Sequence, residues 1–98
     1  MKFNTSNKAC RAFVNEKKTF KASHLFSEWV NGLYVVFSYG HHFPLYIYMA
    51  GIWYGNSNKY SVSTSRHASQ ARPDADIQWL PTDELQIIIS NASSEEVA

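Results

Sequence analysis

Ninety-eight residues suffice for one domain with one modest core, because a chain of this size buries only about two-thirds of its unfolded surface. Apolar residues make up 45% of the chain, which excludes intrinsic disorder as the starting assumption. The net charge of +1 hides a split: residues 1–72 hold all nine Lys and Arg with only Glu16 and Glu28, a net +7, whereas residues 73–98 hold six acids and no base, a net −6.

Taken in chain order, residues 1–9 are polar and read as a flexible end. Residues 11–20 place Phe13 and Val14 before a charged stretch and then Phe20, which suggests a short hairpin. Leu25, Phe26, Trp29 and Val30 stand at helical spacing after Ser23, a candidate N-cap, so residues 21–30 are predicted helical. Asn31-Gly32 ends that segment in a turn.

Residues 33–39, rich in Val, Tyr and Phe, form the clearest strand, and Gly40 breaks it. A second strand covers 43–49, with Pro44 suited to its start or to a sheet edge. On that strand Tyr46 and Tyr48 share one face, and Leu45, Ile47 and Met49 share the other. Ala50-Gly51 turns into Ile52, Trp53 and Tyr54, and a polar loop covers 55–58. Residues 59–63 alternate Tyr60 and Val62 with polar residues and are predicted as a further strand.

Residues 64–72 are polar and suit a helix or an ordered loop, ended by Arg72-Pro73-Asp74. After Ile77, Trp79 and Leu80, Thr82 can cap a helix with Asp83 and Glu84 in its first turn and Leu85, Ile88 and Ile89 on its buried face. A strand over 85–90 is the alternative, and residues 91–98 read as a flexible acidic end. The expected fold is one α+β domain over 1–98, a three- to four-stranded antiparallel sheet packed against one or two helices. The expected core is Phe26, Trp29, Val35, Phe37, Leu45, Ile47, Trp53, Val62, Leu80, Leu85 and Ile88.

One cysteine, Cys10, cannot form an internal disulfide, and the start carries no apolar signal region. The apolar stretch over 33–54 is broken by His41, His42 and Pro44 before it reaches the about 20 apolar residues a membrane helix needs. A cytoplasmic protein with no membrane contact is expected.

Two motifs stand out: Ser38-Tyr39-Gly40-His41-His42-Phe43-Pro44, and Tyr60-Ser61-Val62-Ser63-Thr64-Ser65-Arg66-His67. Together with Phe13-Val14-Asn15 they resemble a family of small domains, of undefined function, encoded by bacteriophages and mobile elements. The likeness covers a third to a half of the chain and does not extend across residues 20–32, where the family carries a tryptophan-containing segment. It implies a viral or mobile-element origin and no particular reaction.

His42 and His67 fall on those motifs. Two imidazoles can act as an acid–base pair near neutral pH, and with Tyr39 and Arg66 they resemble a metal-independent nuclease site. The alternative is that both rings are structural. One cysteine and adjacent histidines give no zinc pattern, and no G-x-S-x-G elbow or glycine-rich phosphate loop is present. No enzyme activity, metal or cofactor is therefore expected.

The candidate binding residues are Tyr39, His41, His42, Tyr46, Tyr48, Lys59, Arg66, His67 and Arg72, a mixture of aromatic and basic side chains suited to a protein or a nucleic acid. The leading expectation is a non-enzymatic binding protein that inhibits a host factor. Its partner would be a host protein or ribonucleoprotein, such as a CRISPR effector in a defence system. The alternatives are a nucleic-acid-binding regulator using the basic residues of 1–72 and a small nuclease. A homodimer is a further expected partnership. The acidic tail either covers the basic body or leaves it open.

Overall fold

The computed structural model describes residues 2–58 and 61–97. Among these residues the chain forms seven strands and three helices: β1 (Phe3–Asn4), α1 (Arg11–Asn15), β2 (Phe20–Ala22), β3 (Leu25–Val30), β4 (Leu33–Ser38), β5 (Pro44–Met49), β6 (Ile52–Asn56), α2 (Val62–Gln70), β7 (Ile77–Leu80) and α3 (Thr82–Val97). The strands lie side by side in sequence order. From β2 to β6 they form the antiparallel meander that the short loops lead one to expect. The outermost pairs, β1 with β2 and β6 with β7, are parallel. The expected sheet of three or four antiparallel strands is thus corrected to a mixed sheet of seven.

A parallel pair of neighbours needs a crossover, and here α1 and α2 supply the two. Strands β1 and β6 run in the same direction, and both crossovers step the same way across the sheet. Crossovers of one hand then place both helices on one face. They do lie together: Cys10, Val14 and Ala71 pack with Tyr34, Val36, Tyr46 and Trp53. The opposite face is covered by α3, whose Leu85, Ile88, Ile89 and Ala92 pack on Leu33, Val35, Phe37 and Ile47. Six consecutive buried residues in β4 follow from this two-sided cover, since alternate side chains enter different cores.

The segment 21–30 is two strands rather than a helix. Its strand alternation is masked because the inward position between Leu25 and Trp29 is a serine. Ser27 is fully buried, accepts the Phe20 N–H at 3.0 Å, and lies 3.0 Å from the Tyr34 hydroxyl, which donates to the Lys18 carbonyl at 2.7 Å. The expected hairpin over 11–20 is replaced by α1. The first ten residues contain β1, whose Phe3 ring stacks on Phe13 at 5.4 Å.

Residues 59–63 do not form the expected strand where they are described. Ser61 caps α2 by accepting the Thr64 N–H at 3.1 Å, and Val62 is the first helical residue, 76% exposed rather than in the core. Trp29 is also half exposed. Lys59 and Tyr60 lie outside the described residues. Thr82 stands one place inside α3 rather than at its cap, and the Pro81 carbonyl accepts from Glu84 and Leu85. Leu45 changes face as well. The register steps from Val36–Tyr46 to Phe37–Pro44, so Leu45 is the extra residue of a bulge and joins the same core as Tyr46.

Both predicted tight turns form. Asn31-Gly32 joins β3 to β4, and Ala50-Gly51 joins β5 to β6, with positive φ at all four residues. Ala50, at φ +52°, occupies a conformation that costs a residue with a Cβ about 1–2 kcal/mol unless it is Asn or Asp. The variant Ala50→Asn is expected to raise unfolding stability by about 0.5–1 kcal/mol in urea titration. An unchanged or lowered midpoint would contradict this turn geometry.

Candidate functional site

Two openings flank the N-terminal half of α2 and meet at Thr64, which borders both. The larger, about 410 Å³, is a groove between α2 and the β6–β7 edge. Its floor is Leu45 and Tyr46. Its helix wall is Thr64, Ser65, Ala68 and Ser69, and its rim is Asn56, Ser57, Asn58, Arg72 and Trp79.

The β6 wall is held by amides. Asn56 donates to the Pro44 carbonyl at 2.7 Å and to the Thr82 hydroxyl at 2.9 Å, while its own oxygen accepts from Asn58 N–H at 2.8 Å. Asn58 in turn accepts the Thr82 N–H at 2.7 Å. This network fixes the end of β6 to the starts of β5 and α3. The helix wall is fixed from below, since the Tyr46 hydroxyl donates to the Ala68 carbonyl and Arg11 donates to the Ser69 carbonyl at 2.7 Å. Burial pushes the Tyr46 phenol up to about 12, so at neutral pH it is a neutral donor.

Trp79 is the exposed element of this groove, 47% accessible. It pairs across the ladder with Gly55, and a Cβ on Gly55 would come within 2.8 Å of the indole and 2.7 Å of Ile77. Glycine therefore lets the indole lie against the sheet backbone. Tyr46 meets the indole edge-on at 6.3 Å, and the Arg72 guanidinium lies over it at 5.5 Å. Sequence reasoning flagged Tyr46 and Arg72 but not Trp79. A signal was available in Gly55, a lone glycine in a strand, which marks close approach by another group.

The second opening, about 400 Å³, is lined by Ser38, Tyr39, His42, Phe43, Thr64 and Thr82. Tyr39 and His24 both have positive φ, +68° and +58°, and their rings stack at 5.0 Å. Behind Tyr39, at 5.3 Å, lies His67, whose Nδ1 is 2.8 Å from the Ser38 hydroxyl; both residues are buried. His42 packs against Gly40, where a Cβ would stand 3.1 Å from its ring. His67 is not part of this opening's wall, so the two motif histidines do not line one cavity together.

The remaining candidates are dispersed. His41 faces the other side of the sheet, where it lies 2.8 Å from Glu28 and against Phe26 and Phe37. Burial alone would raise the Glu28 carboxyl, but hydrogen bonds from Lys2 and His41 bring it below the ordinary value. Tyr48 is half-buried beneath Lys17, whose ammonium lies 4.4 Å from the ring centre. Arg66 is exposed on α2. Among the described residues no group of three or more His, Cys, Asp or Glu could hold a metal ion, and no helix is long and apolar enough to cross a membrane.

Charge is divided by face. Lys8, Arg11, Lys17, Lys18, Arg66 and Arg72 belong to the α1 and α2 layer, whereas Asp83 and Glu84 open α3 on the other side. Asp74 does return to the basic layer, exchanging two 2.8 Å hydrogen bonds with Asn15 and standing 3.9 Å from Arg11. Among the described residues, no carboxylate lies within salt-bridge distance of Lys8, Lys21, Arg66 or Arg72. Comparison with protein-family models, with curated proteins and with solved structures finds no match to this chain.

Burial, reinforced by the nearby His24 and Arg66, lowers the His67 pKa below its ordinary value. The unfolded chain therefore binds the His67 proton more readily than the folded one. Its contribution to stability is full above about pH 6.5 and is lost as pH falls from there toward the folded value. Urea midpoints of the wild type should drop on acidification through this window, and those of His67→Gln should drop less. Equal slopes would show that His67 is not held neutral by the fold.

Proposed function

We propose that the chain is a non-enzymatic binding protein of a phage or mobile element that acts on a host factor inside the host cell. Its binding surface is the groove between α2 and the β6–β7 edge. The supporting observation is the Arg72–Trp79 pair: an indole left 47% accessible on Gly55, with a guanidinium across it, beside an opening of about 410 Å³. Tryptophan and arginine are among the residues most often found at the energetic centres of interfaces, and here they line the groove together with a hydrogen-bonded rim. The partner expected is a host protein or ribonucleoprotein, a defence effector being the leading case. Binding blocks that partner by occupying a site it needs.

The nuclease alternative has weaker support, because His67 is engaged with Ser38 behind Tyr39. Regulation through nucleic acid keeps a specific observation in its favour, namely that Arg66 and Arg72 flank the groove without carboxylate partners among the described residues.

The test is capture from host extract on the immobilised full chain. Wild type should retain a stoichiometric partner. Trp79→Ala should weaken its retention about thirtyfold, the effect of losing a hot-spot residue worth about 2 kcal/mol, while Ile87→Ala, on an exposed side chain of α3 across the sheet, should not. A partner held equally by Trp79→Ala would remove the groove from the proposal.

A further inference from the structure

The groove is unusual in what it presents. Among the described residues its one charged side chain is that of Arg72, and no Asp or Glu contributes to its wall. The segment of α2 beside it contains no acid at all. Ser65 and Ser69 line it from the helix, and no side-chain hydrogen bond among the described residues uses either hydroxyl. Arg66 stands three residues before Ser69 on the exposed side of α2, and Arg11 reaches the Ser69 carbonyl from below at 2.7 Å. The helix wall is thus lined by hydroxyls and flanked by two guanidinium groups, that of Arg66 and that of Arg11, which also stands 3.9 Å from Asp74, while the Arg72–Trp79 pair forms a platform opposite.

A ligand that matches this needs acceptor-rich negative charge at regular intervals and a flat apolar group beside it. Phosphodiester oxygens meet the first need, through hydroxyl and guanidinium donors. An unpaired base meets the second, because bases stack on indole rings and on Arg planes. A duplex meets only the first, since its bases are already stacked on one another. An acidic peptide also meets only the first.

We infer that the α2–β7 groove takes single-stranded nucleic acid, with one base stacked on the Arg72–Trp79 pair and the backbone following the Ser65–Ser69 wall between Arg66 and Arg11. This rests on the groove being the binding surface, and it identifies the part of a ribonucleoprotein that the groove would meet. The stack tolerates any base, because every base has a π-face. Sequence preference is therefore weak, and affinity depends on salt.

The experiment is fluorescence anisotropy of the full chain with end-labelled single strands of about ten nucleotides, a duplex of the same length, and a Glu-rich peptide of matched charge. Single strands are expected to bind more tightly than the duplex or the peptide. Their affinity should fall about tenfold between about 50 mM and 200 mM salt, the change for two or three phosphate contacts. Trp79→Ala and Arg72→Ala should each weaken binding about tenfold, whereas Trp79→Phe, which keeps a stacking ring, should stay within about threefold. Arg72→Lys should keep the salt slope but not the full affinity, since the charge remains and the plane is lost.

No binding of single strands by wild type at about 50 mM salt up to about 0.1 mM protein would overturn the inference, as would equal binding of the peptide or the duplex. So would single-strand binding unaffected by Trp79→Ala. If oligonucleotides are ignored but the host partner is still lost from Trp79→Ala, the groove takes protein surface and only this inference fails. If single strands bind through Trp79 and no host partner is captured, the inference stands and the inhibitor reading falls.

Discussion

The fold depends on burying one strand from both sides. All six residues of β4 are buried, so the sheet must be covered above and below. A chain of 98 residues has little helix to do this with. It solves the problem with two crossovers of the same sense at opposite edges, which put α1 and α2 on one face, and with a final helix, α3, on the other. The short α1 and α2 cover the middle of their face but not its β7 edge. Trp79 stands where that cover ends.

The same arrangement separates the charges. Lys8, Arg11, Lys17, Lys18, Arg66 and Arg72 are carried by the crossover helices and their loops, whereas on the reverse Lys2 stands over Phe26 beside Glu28 and Asp83 and Glu84 open α3. Leu85, Ile88, Ile89 and Ala92 seat α3 on the body, and among the described side chains Asp74 returns to the basic layer at α1. A total of +1 describes neither surface. A face with an excess of one sign steers association with a partner of opposite charge, and the effect weakens with salt.

Much of the central meander was legible, because β4, β5 and the Asn31-Gly32 and Ala50-Gly51 turns follow local rules of composition and φ. The edges were not. A two-residue β1 carries no periodicity, and β7, with Gln78 and Trp79 exposed, has no continuous apolar run. Residues 21–30 misled because Ser27 is polar yet buried, its hydroxyl satisfied by Phe20 and Tyr34; only the tertiary partners reveal that position as inward. The bulge at Leu45 moved a core side chain to the face of Tyr46 for a similar reason, since a register shift belongs to the strand pair and not to either sequence. Of the candidate site residues, Tyr46 and Arg72 meet at the groove, while His41 stands on the opposite face and Lys59 lies outside the described residues. Trp79 was among neither the expected core nor the expected site residues, and the glycine paired with it, Gly55, is the feature that marks its place.

The most direct measurement of the groove as a binding surface is a residue-resolved NMR titration of the labelled chain with the single-stranded ligand. The account predicts that the Trp79 indole and the amides of Ser65, Ser69 and Arg72 shift together, while Leu85 and Ile88 on the buried face of α3 stay in place. Shifts confined to Tyr39 and His42 around the second opening, or to the α3 face, would contradict it.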